Sequence, residues 1–153
     1  MDAQRIATAL AVNAAVGRVV RWAGRTDVRR ELLGPSAREL SPTDVWLLGA
    51  IRDHGPVRST DLAVWQGVDK STITPQVRRL EDRGLVARTP DPGDRRVVLL
   101  TLTPRGAQVD RRIALAGAAV VDRVLAGWDP VDRETFAALL GRFADELRRP
   151  DER

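Results

Sequence analysis

Apolar residues recur along the chain with two different periods, and the helical period comes first. Between Ala3 and Leu33 apolar residues recur every three or four positions, and Ile6, Leu10 and Val16 are examples. This is the period of a helix with one apolar face, so the sequence predicts a single long helix over these residues. Gly34-Pro35 would end it, because both residue types interrupt helices.

A second helix is predicted between Ser41 and Gly55-Pro56. Ser41 is a good N-cap and Pro42 suits the first helical position. Asp44 stands where the acid of a capping box is found. The helix would run through "DVWLLGAIRDHG" and stop at the Gly-Pro pair.

Two short helices with a glycine between them follow. Ser59 is predicted to cap the first, "TDLAVWQG", and Gly67 to end it. Asp69 is predicted to cap the second, "KSTITPQVRRLEDRG", and Gly84 to end it. This is the helix-turn-helix pattern. The apolar positions that would hold the two helices together are Leu62, Ala63, Val68, Ile73, Val77 and Leu80.

The pattern of apolar residues then changes to one typical of β-strands. "LVART" and "RVVLLTLT" are short runs, rich in apolar and β-branched residues, on either side of a Pro-Asp-Pro-Gly-Asp turn. They predict a β-hairpin. If Arg96 and Val98 share their side, strand alternation directs Leu100 and Leu102 toward the core and places Val97, Leu99 and Thr101 on the opposite face. Two further helices complete the pattern, one over Pro104–Gly127 and one that begins at Pro130.

Composition narrows the class of protein. The 153 residues are enough for one domain, and 43% are hydrophobic and 30% charged, which is typical of a folded chain. No cysteine is present, so disulfides, thiolate metal sites and thiol switches are excluded. No apolar run reaches the length of a membrane span, and the N-terminus does not have the pattern of a signal peptide. We therefore expect a cytoplasmic protein with no membrane partner.

Positive charge is concentrated in the middle of the chain. The formal net charge is +4, and Arg58–Arg112 contain eleven basic and seven acidic residues, while the remainder has fourteen of each. A local basic excess is expected of a surface that binds phosphates. Lys70 is the only lysine, and a GC-rich genome could produce that arginine bias without any nucleic-acid ligand.

The order helix, helix, helix-turn-helix, hairpin, helix, helix contains a winged helix. With that order the chain resembles the MarR family of transcription regulators over nearly its full length. The matching stretches are "LSPTDVWLLGAI", "TDLAVWQGVDKSTITPQVRRLEDRGLVAR" and "DPGDRRVVLLTLTPRG". The resemblance implies a mainly α fold with a small β-hairpin wing, and a DNA-binding regulator that usually acts as a repressor.

The resemblance also implies an assembly. An obligate homodimer would form through the N- and C-terminal helices and would place two winged-helix lobes on a pseudo-palindromic operator in double-stranded DNA. In this chain the N-terminal dimerisation helix would cover residues 1–34, the winged helix-turn-helix residues 41–103, and the C-terminal dimerisation helices residues 104–148. No cofactor is expected.

The helix that begins at Lys70 is the candidate recognition helix. A helix N-terminus in the major groove brings short donors and acceptors to base edges, and its dipole attracts phosphate. We assign DNA contacts in the helix-turn-helix to Ser59, Lys70, Ser71, Thr72, Thr74, Gln76, Arg78 and Arg79. Arg78 and Arg79 fit phosphate contacts better than base contacts. An ordinary solvated helix face is the alternative.

Pro75 departs from the commoner pattern of the family, in which this place often holds a basic or polar residue. Inside a helix a proline removes one backbone hydrogen bond and bends the axis. A helix that begins one or two residues after Lys70 would reduce that cost.

The hairpin turn carries a pair of arginines. Arginine is favoured in a narrow A·T-rich minor groove, which a wing beside the recognition helix can reach. The resemblance assigns this role to Asp94 and Arg96, with Arg95 nearby on DNA. Asp94 would hold the turn in shape by pairing with an arginine or with turn amides. A solvated hairpin is the alternative.

Four tryptophans stand out among few aromatic residues: Trp22, Trp46, Trp65 and Trp128. Burial in the core is the first expectation for each of them. Trp22 and Trp46 are also candidates for an effector pocket, because MarR-like proteins bind small aromatic or phenolic anions near these helices. Arg18 or Arg52 would supply the countercharge.

Two other classes of function compete with this interpretation. Catalysis is not expected, because the only histidine, His54, lies at a helix end where a capping or dipole role suits it, and no phosphate loop or metal-ligand cluster is present. A winged-helix module that contacts protein without specific DNA binding is the alternative to the DNA-binding regulator. The basic middle of the chain argues against it.

Overall fold

Helices make up most of the molecule, with a short hairpin in the middle. The computed structural model describes residues 2–148, apart from the side chains of Ala37 and Arg148. The elements in order are α1 (Ala3–Ala23), α2 (Thr26–Leu33), a 3-10 turn (Gly34–Arg38), α3 (Pro42–His54), α4 (Ser59–Gln66), α5 (Lys70–Asp82), β1 (Val86–Pro90), β2 (Val98–Leu102), α6 (Pro104–Val124) and α7 (Pro130–Arg148). This confirms the predicted winged helix-turn-helix, mainly α with a two-stranded wing.

The predicted single helix over Ala3–Leu33 is wrong, because the structure breaks it into α1 and α2. Gly24 ends α1, and Arg25 has an extended backbone with φ −67° and ψ 139°. Nε and Nη2 of Arg25 donate to the Asp27 carboxylate at 3.1 and 2.7 Å. That carboxylate lies in the first turn of α2, where negative charge is favoured. The apolar period continues across the break, so periodicity alone does not reveal it.

α3 begins as predicted. The Ser41 hydroxyl accepts from the Asp44 amide at 3.1 Å, and the Asp44 carboxylate accepts from the Ser41 amide at 2.9 Å. These bonds offset the burial of Asp44, which is only 5% exposed. At the other end, the His54 ring stacks on Trp65 of α4 with centroids 4.1 Å apart.

The start of α4 differs by one residue from the prediction. Ser59 is the first helical residue, and the N-cap position is taken by Arg58, whose backbone is extended. The Arg58 amide donates to the Asp61 carboxylate at 3.2 Å, so an acid three residues later supplies the capping bond. Gly67 ends α4 in the left-handed conformation, with φ 69°, as predicted.

The hydrophobic core joins α3, α4, α5 and both strands. Its buried members are Leu40, Leu47, Leu48, Ile51, Val57, Leu62, Ala63, Ile73, Val77, Leu80, Leu85, Val86 and Leu100. They include all but one of the residues predicted to join the helix-turn-helix. The exception is Val68, which is 36% exposed. Its amide donates to the Ala63 carbonyl and closes the end of α4, so Val68 contributes its backbone there while its side chain stays outside the core.

The wing is an antiparallel hairpin, as predicted. β1 and β2 pair from Val86↔Leu102 at the core end to Pro90↔Val98 at the outer end. Leu100 is 1% exposed, and Leu102 packs against the core. The inward direction that strand alternation predicts for these two leucines is confirmed.

α6 starts in contact with the corner between α5 and β1. The Thr103 hydroxyl donates to the Gly84 carbonyl at 2.6 Å and accepts from the Gly106 amide at 2.9 Å. A Cβ atom on Gly106 would overlap the Leu85 carbonyl oxygen, so only glycine fits at this position. The first turn of α6 is therefore fixed to the end of the helix-turn-helix.

The chain divides within α6 into two compact units, and the boundary follows Gly117. In the second unit, Arg133 fixes the turn between α6 and α7. It donates to the Leu125 carbonyl at 2.9 Å and to the Asp122 carboxylate at 3.3 Å. The rings of Trp128 and Phe136 lie 5.4 Å apart.

Each unit exposes an apolar helix face. α1 buries none of its residues. Its exposed apolar side chains include Leu10 at 63% and Val20 at 64%. On α7 the exposed fractions are 51% for Leu139, 50% for Leu140 and 40% for Phe143. Soluble proteins rarely leave large apolar faces open to water, so both faces are candidates for contact with another chain.

Candidate nucleic-acid interface

α5 lies on the core with one face and is open to solvent on the other. Ile73, Val77 and Leu80 are fully buried. The predicted contact residues Lys70, Ser71, Thr72, Thr74 and Arg78 are all exposed. The core therefore holds the helix while its polar face remains available to a ligand.

The helix begins at Lys70 and continues through Pro75. The later start that would have reduced the cost of the proline is therefore not observed. In an α-helix the amide at this position would bond the Ser71 carbonyl, and proline cannot make that bond. The hydroxyl of the preceding residue, Thr74, donates to the Lys70 carbonyl at 2.8 Å. The Thr74 hydroxyl hydrogen is thus used within the helix.

Gln76 differs from the other predicted contacts because its side chain is half-buried. Its Oε1 atom is shielded from solvent and has no hydrogen-bond partner in the described part of the chain. A buried acceptor without a donor is unfavourable. A contact between Gln76 and DNA would require this side chain to rotate outward.

The neighbouring arginines Arg78 and Arg79, which the sequence treats alike, have different surroundings. Nη2 of Arg79 lies 3.4 Å from Oδ1 of the buried Asp44. Arg83, one turn later, donates to the Glu39 carbonyl. These two arginines connect α5 to the start of α3 and to the segment before it. Arg78 is exposed and makes no ion pair among the described residues, so it is the better phosphate candidate.

The turn between the strands, residues 91–97, is the wing tip. Oδ1 of Asp91 accepts from the amides of Gly93 and Asp94 at 2.7 and 3.4 Å. Oδ1 of Asp94 accepts from the Arg96 amide at 3.0 Å. Of the two partners considered for Asp94, the structure therefore shows the turn amide. Arg95 and Arg96 are both exposed beside it.

A bidentate ion pair joins the wing to α5, and sequence reasoning missed it. Nε and Nη2 of Arg88 on β1 donate to the two Glu81 carboxylate oxygens at 2.6 and 2.9 Å. The Glu81 carboxylate raises the pKa of the Arg88 guanidinium. The seven-residue separation crosses the turn at Gly84, so neither helical nor strand spacing could have indicated it.

The effector-pocket residues Arg18, Trp22, Trp46 and Arg52 are not gathered into one of the principal cavities in the described part of the chain. Arg18 lines a cavity of about 490 Å³ along α1. Arg52 donates to Asp53 and to Asp110, and these carboxylates raise the pKa of its guanidinium. Another cavity, of about 820 Å³, is lined by different residues: Arg30, Gly34, Pro35, Arg38 and Glu39.

The tryptophans are less buried than expected. Trp22 is half-buried. Trp46, Trp65 and Trp128 are 36%, 45% and 45% exposed, so the expectation of core burial is wrong for these three in the protomer. Two of the indoles make ring contacts, Trp65 with His54 and Trp128 with Phe136.

Residues 2–148 also lack two kinds of feature. No group of three or more acidic or histidine side chains in that range could hold a metal ion. None of the helices there has both the length and the apolarity needed to cross a membrane.

Comparison with known proteins gives one consistent family. A model described as the MarR family matches residues 40–98. The HTH-type transcriptional repressor NicR of Pseudomonas putida is 50% identical over 60 residues, which cover 39% of this chain and 38% of that protein. The HTH-type transcriptional regulator YxaD of Bacillus subtilis is 33% identical over 97 residues, which cover 63% of this chain and 68% of that protein.

Solved structures share the fold over more of the chain. The crystal structure of MarR matches with 27% identity and a TM-score of 0.68, covering 88% of this chain and 89% of that one. A MarR family protein from Bacillus stearothermophilus has a TM-score of 0.74 at 21% identity and covers 97% of this chain and 99% of that one, a likeness of fold alone. With the helix-turn-helix and wing described above, these similarities show that the chain belongs to the MarR family of transcriptional regulators.

Proposed function

We propose that the protein is a transcriptional repressor that binds a pseudo-palindromic operator in double-stranded DNA as a homodimer and responds to a small ligand. One observation carries the proposal. A single lobe presents both the exposed polar start of α5 and a wing tip with two exposed arginines. The core holds the helix, and aspartate–amide hydrogen bonds hold the tip.

The two parts of this surface suit different parts of DNA. Lys70, Ser71 and Thr72 at the start of α5 suit base edges and phosphates of the major groove, aided by the helix dipole. Arg95 and Arg96 suit the flanking minor groove. Ser59 at the start of α4 and Arg78 suit the phosphates between them. Thr74, Gln76 and Arg79 have internal partners or partial burial and belong to a second group of contacts that need rearrangement.

The homodimer is supported by the exposed apolar faces. α1 and α7 leave large side chains open to water, among them Leu10, Val20, Leu140 and Phe143. Residues 1–34 and 104–148 are thus the proposed dimerisation regions, and 41–103 the DNA-binding region. A two-fold dimer also matches the symmetry of a palindromic operator.

A ligand response is the part of the proposal that rests most on the family. The ligand would be a small aromatic or phenolic anion. Arg18 lines a cavity on α1, and Trp22, Trp46 and Arg52 remain the other candidates for ligand contact. The two ion pairs of Arg52 leave its charge largely compensated, so Arg18 is the better countercharge.

Repression is supported by the names of two relatives. NicR of Pseudomonas putida and MdtR of Bacillus subtilis are both named transcriptional repressors. Repression requires contact with the chromosome. The proposal accordingly places the protein in the cytoplasm and gives it no catalytic role.

Selection from a random pool of duplex DNA tests the function. The purified protein is expected to enrich one inverted-repeat sequence, with half-sites about one helical turn apart. Affinity for the enriched duplex, measured by fluorescence anisotropy, should fall steeply as salt rises, because arginine–phosphate contacts release counterions. No enrichment, together with a flat salt dependence, would overturn the proposal in favour of a protein-contact module.

A further inference from the structure

The connection between α5 and the wing has a rigid inner part and a sparsely supported outer part. At the inner end, Val86 and Leu100 are buried in the core, and the Thr103 amide donates to the Leu85 carbonyl at 3.0 Å. At the outer end, Thr89, Pro90 and the wing tip are largely exposed. The hairpin therefore projects from the core at its inner end, and a small change in its angle to the core there moves the wing tip.

The Glu81–Arg88 pair lies where the hairpin leaves the core. It is the one ion pair between α5 and the wing among the described residues. Its two parallel hydrogen bonds match the fork of the guanidinium to the carboxylate, a geometry that fixes orientation as well as distance. Glu81 is on the last turn of α5, the candidate recognition helix, so the pair joins the wing directly to the element that would read the operator.

We propose that Glu81 and Arg88 are positioning residues, which set the direction of the wing relative to α5 and thereby the preference of the wing arginines for the sequence beside the operator half-site. The inference rests on the proposed DNA-binding function. A side chain in a narrow minor groove is sensitive to its placement, because the groove potential depends on width and therefore on sequence. The pair is partly exposed and contributes little to stability; its contribution is to geometry.

The test uses the duplex enriched from the random pool, synthesised in two versions. One version has A·T tracts on both flanks and the other has G·C flanks. The measured quantity is the dissociation constant for the G·C-flanked duplex divided by that for the A·T-flanked duplex. It is determined for wild type, Glu81→Ala and Arg88→Ala. We expect both variants to lower this ratio by about threefold to tenfold, with unchanged thermal unfolding.

The opposite charges of the two residues make the test selective. If Arg88 simply bound phosphate, Arg88→Ala would weaken binding to both duplexes, and Glu81→Ala, which adds one positive charge to the protein, would strengthen it. If the pair positions the wing, both variants lose flank preference. The double variant Glu81→Arg with Arg88→Glu should restore that preference, because it can rebuild the pair.

The matched control is the pair Arg25–Asp27. It is also bidentate and exposed, and it lies between α1 and α2, outside the helix-turn-helix and wing. Arg25→Ala should leave the flank ratio unchanged. An unchanged ratio in Glu81→Ala and Arg88→Ala overturns the inference while leaving the proposed function intact. Failure of wild type to enrich any sequence would instead overturn the proposed function.

A second measurement is independent of DNA. The chain contains no cysteine, so nitroxide labels on Asp82→Cys and Pro92→Cys report only the distance from the end of α5 to the wing tip. Diluting labelled with unlabelled chain isolates the distance within one protomer. We expect a narrow distribution in the otherwise native chain and a broader one with Glu81→Ala. Distance distributions of equal width would overturn the inference. This result does not depend on whether the variants bind DNA.

Discussion

At the wing tip the aspartates, rather than the arginines, build the local structure. Asp91 and Asp94 accept hydrogen bonds from three backbone amides of the turn. Short carboxylate side chains commonly bond the backbone two residues ahead in this way. Arg95 and Arg96 make no ion pair in the described part of the chain, so their guanidinium groups remain available to an external acceptor.

Arg96→Ala is expected to weaken specific DNA binding by about 1–3 kcal/mol, the range for losing one well-placed groove contact. The Asp94 hydrogen bond goes to the amide of Arg96 and not to its side chain, so the turn should persist in the variant. Fluorescence anisotropy on the enriched duplex measures the change. Arg25→Ala removes the same charge from an exposed site outside the DNA-binding lobe and serves as the control. Wild-type affinity in Arg96→Ala would refute the assignment of the wing.

The ion pair between Arg52 and Asp110 gives a prediction about stability. Asp110 has a side chain only 9% exposed, whereas that of Arg52 is 48% exposed. Arg52→Ala would leave a buried carboxylate without its cation. We expect the free energy of unfolding to fall by about 1–3 kcal/mol, less than for a fully buried pair because solvent already screens Arg52.

Urea denaturation at fixed protein concentration measures this loss. Arg25→Ala again provides the comparison, since both members of its pair are more than half exposed, and its midpoint should stay close to that of wild type. Equal midpoints for Arg52→Ala and Arg25→Ala would contradict the prediction.

Residue roles divide sharply into those the sequence could reveal and those it could not. The capping box of Ser41 and Asp44 follows a local rule, and so does the hydrogen bond from the Arg96 amide to the Asp94 carboxylate. Each is predictable from a few neighbouring residues. The contact of Arg79 with Asp44 joins residues 35 positions apart. No spacing rule predicts which of two adjacent arginines turns inward, because that depends on where a buried acid lies after folding.

At the scale of single elements, α5 combines a proline with a complete helix. Pro75 lies in the sixth position, where an interior proline removes one backbone bond and crowds the preceding turn. Pro75→Ala should therefore raise the free energy of unfolding by about 1–3 kcal/mol. Pro42→Ala is the matched control, since proline is favoured at the first position of a helix and its loss there should be slightly destabilising. Denaturation midpoints that move in the same direction would rule out this account.

Element boundaries were predictable where a residue type enforces them. Glycines with positive φ end α3, α4 and α5, at Gly55, Gly67 and Gly84, and all three were expected. The break between α1 and α2 was not, because Gly24 has an ordinary helical φ of −74° and the apolar pattern runs on beyond it. The predicted burial of Val68 was wrong for a related reason, since an apolar residue just after a helix end can contribute its backbone alone.

For the whole molecule, the exposed faces of α1 and α7 make a testable case for dimerisation. Phe143 is 40% exposed on α7. Phe143→Asp would place a charge in the proposed interface, where an unpaired charge is strongly unfavourable. We expect the variant to dissociate or lose its fold, and to lose operator binding in either case.

Light scattering together with circular dichroism distinguishes these outcomes. Wild type should have the mass of two chains at micromolar concentration. Arg58→Asp, an exposed change on the DNA-binding lobe, should keep that mass while weakening DNA binding. A wild-type mass of one chain would be incompatible with the proposed assembly.

The close packing of Gly106 has a mechanical consequence. Its neighbour is a backbone carbonyl, that of Leu85, and backbone atoms cannot make room by changing rotamer. A rotation of the first turn of α6 must therefore push the Gly84–Leu85 corner, which is continuous with the end of α5 and the start of β1. The first turn of α6 and this corner are therefore expected to move together, so a displacement of that turn also displaces the adjoining ends of α5 and β1.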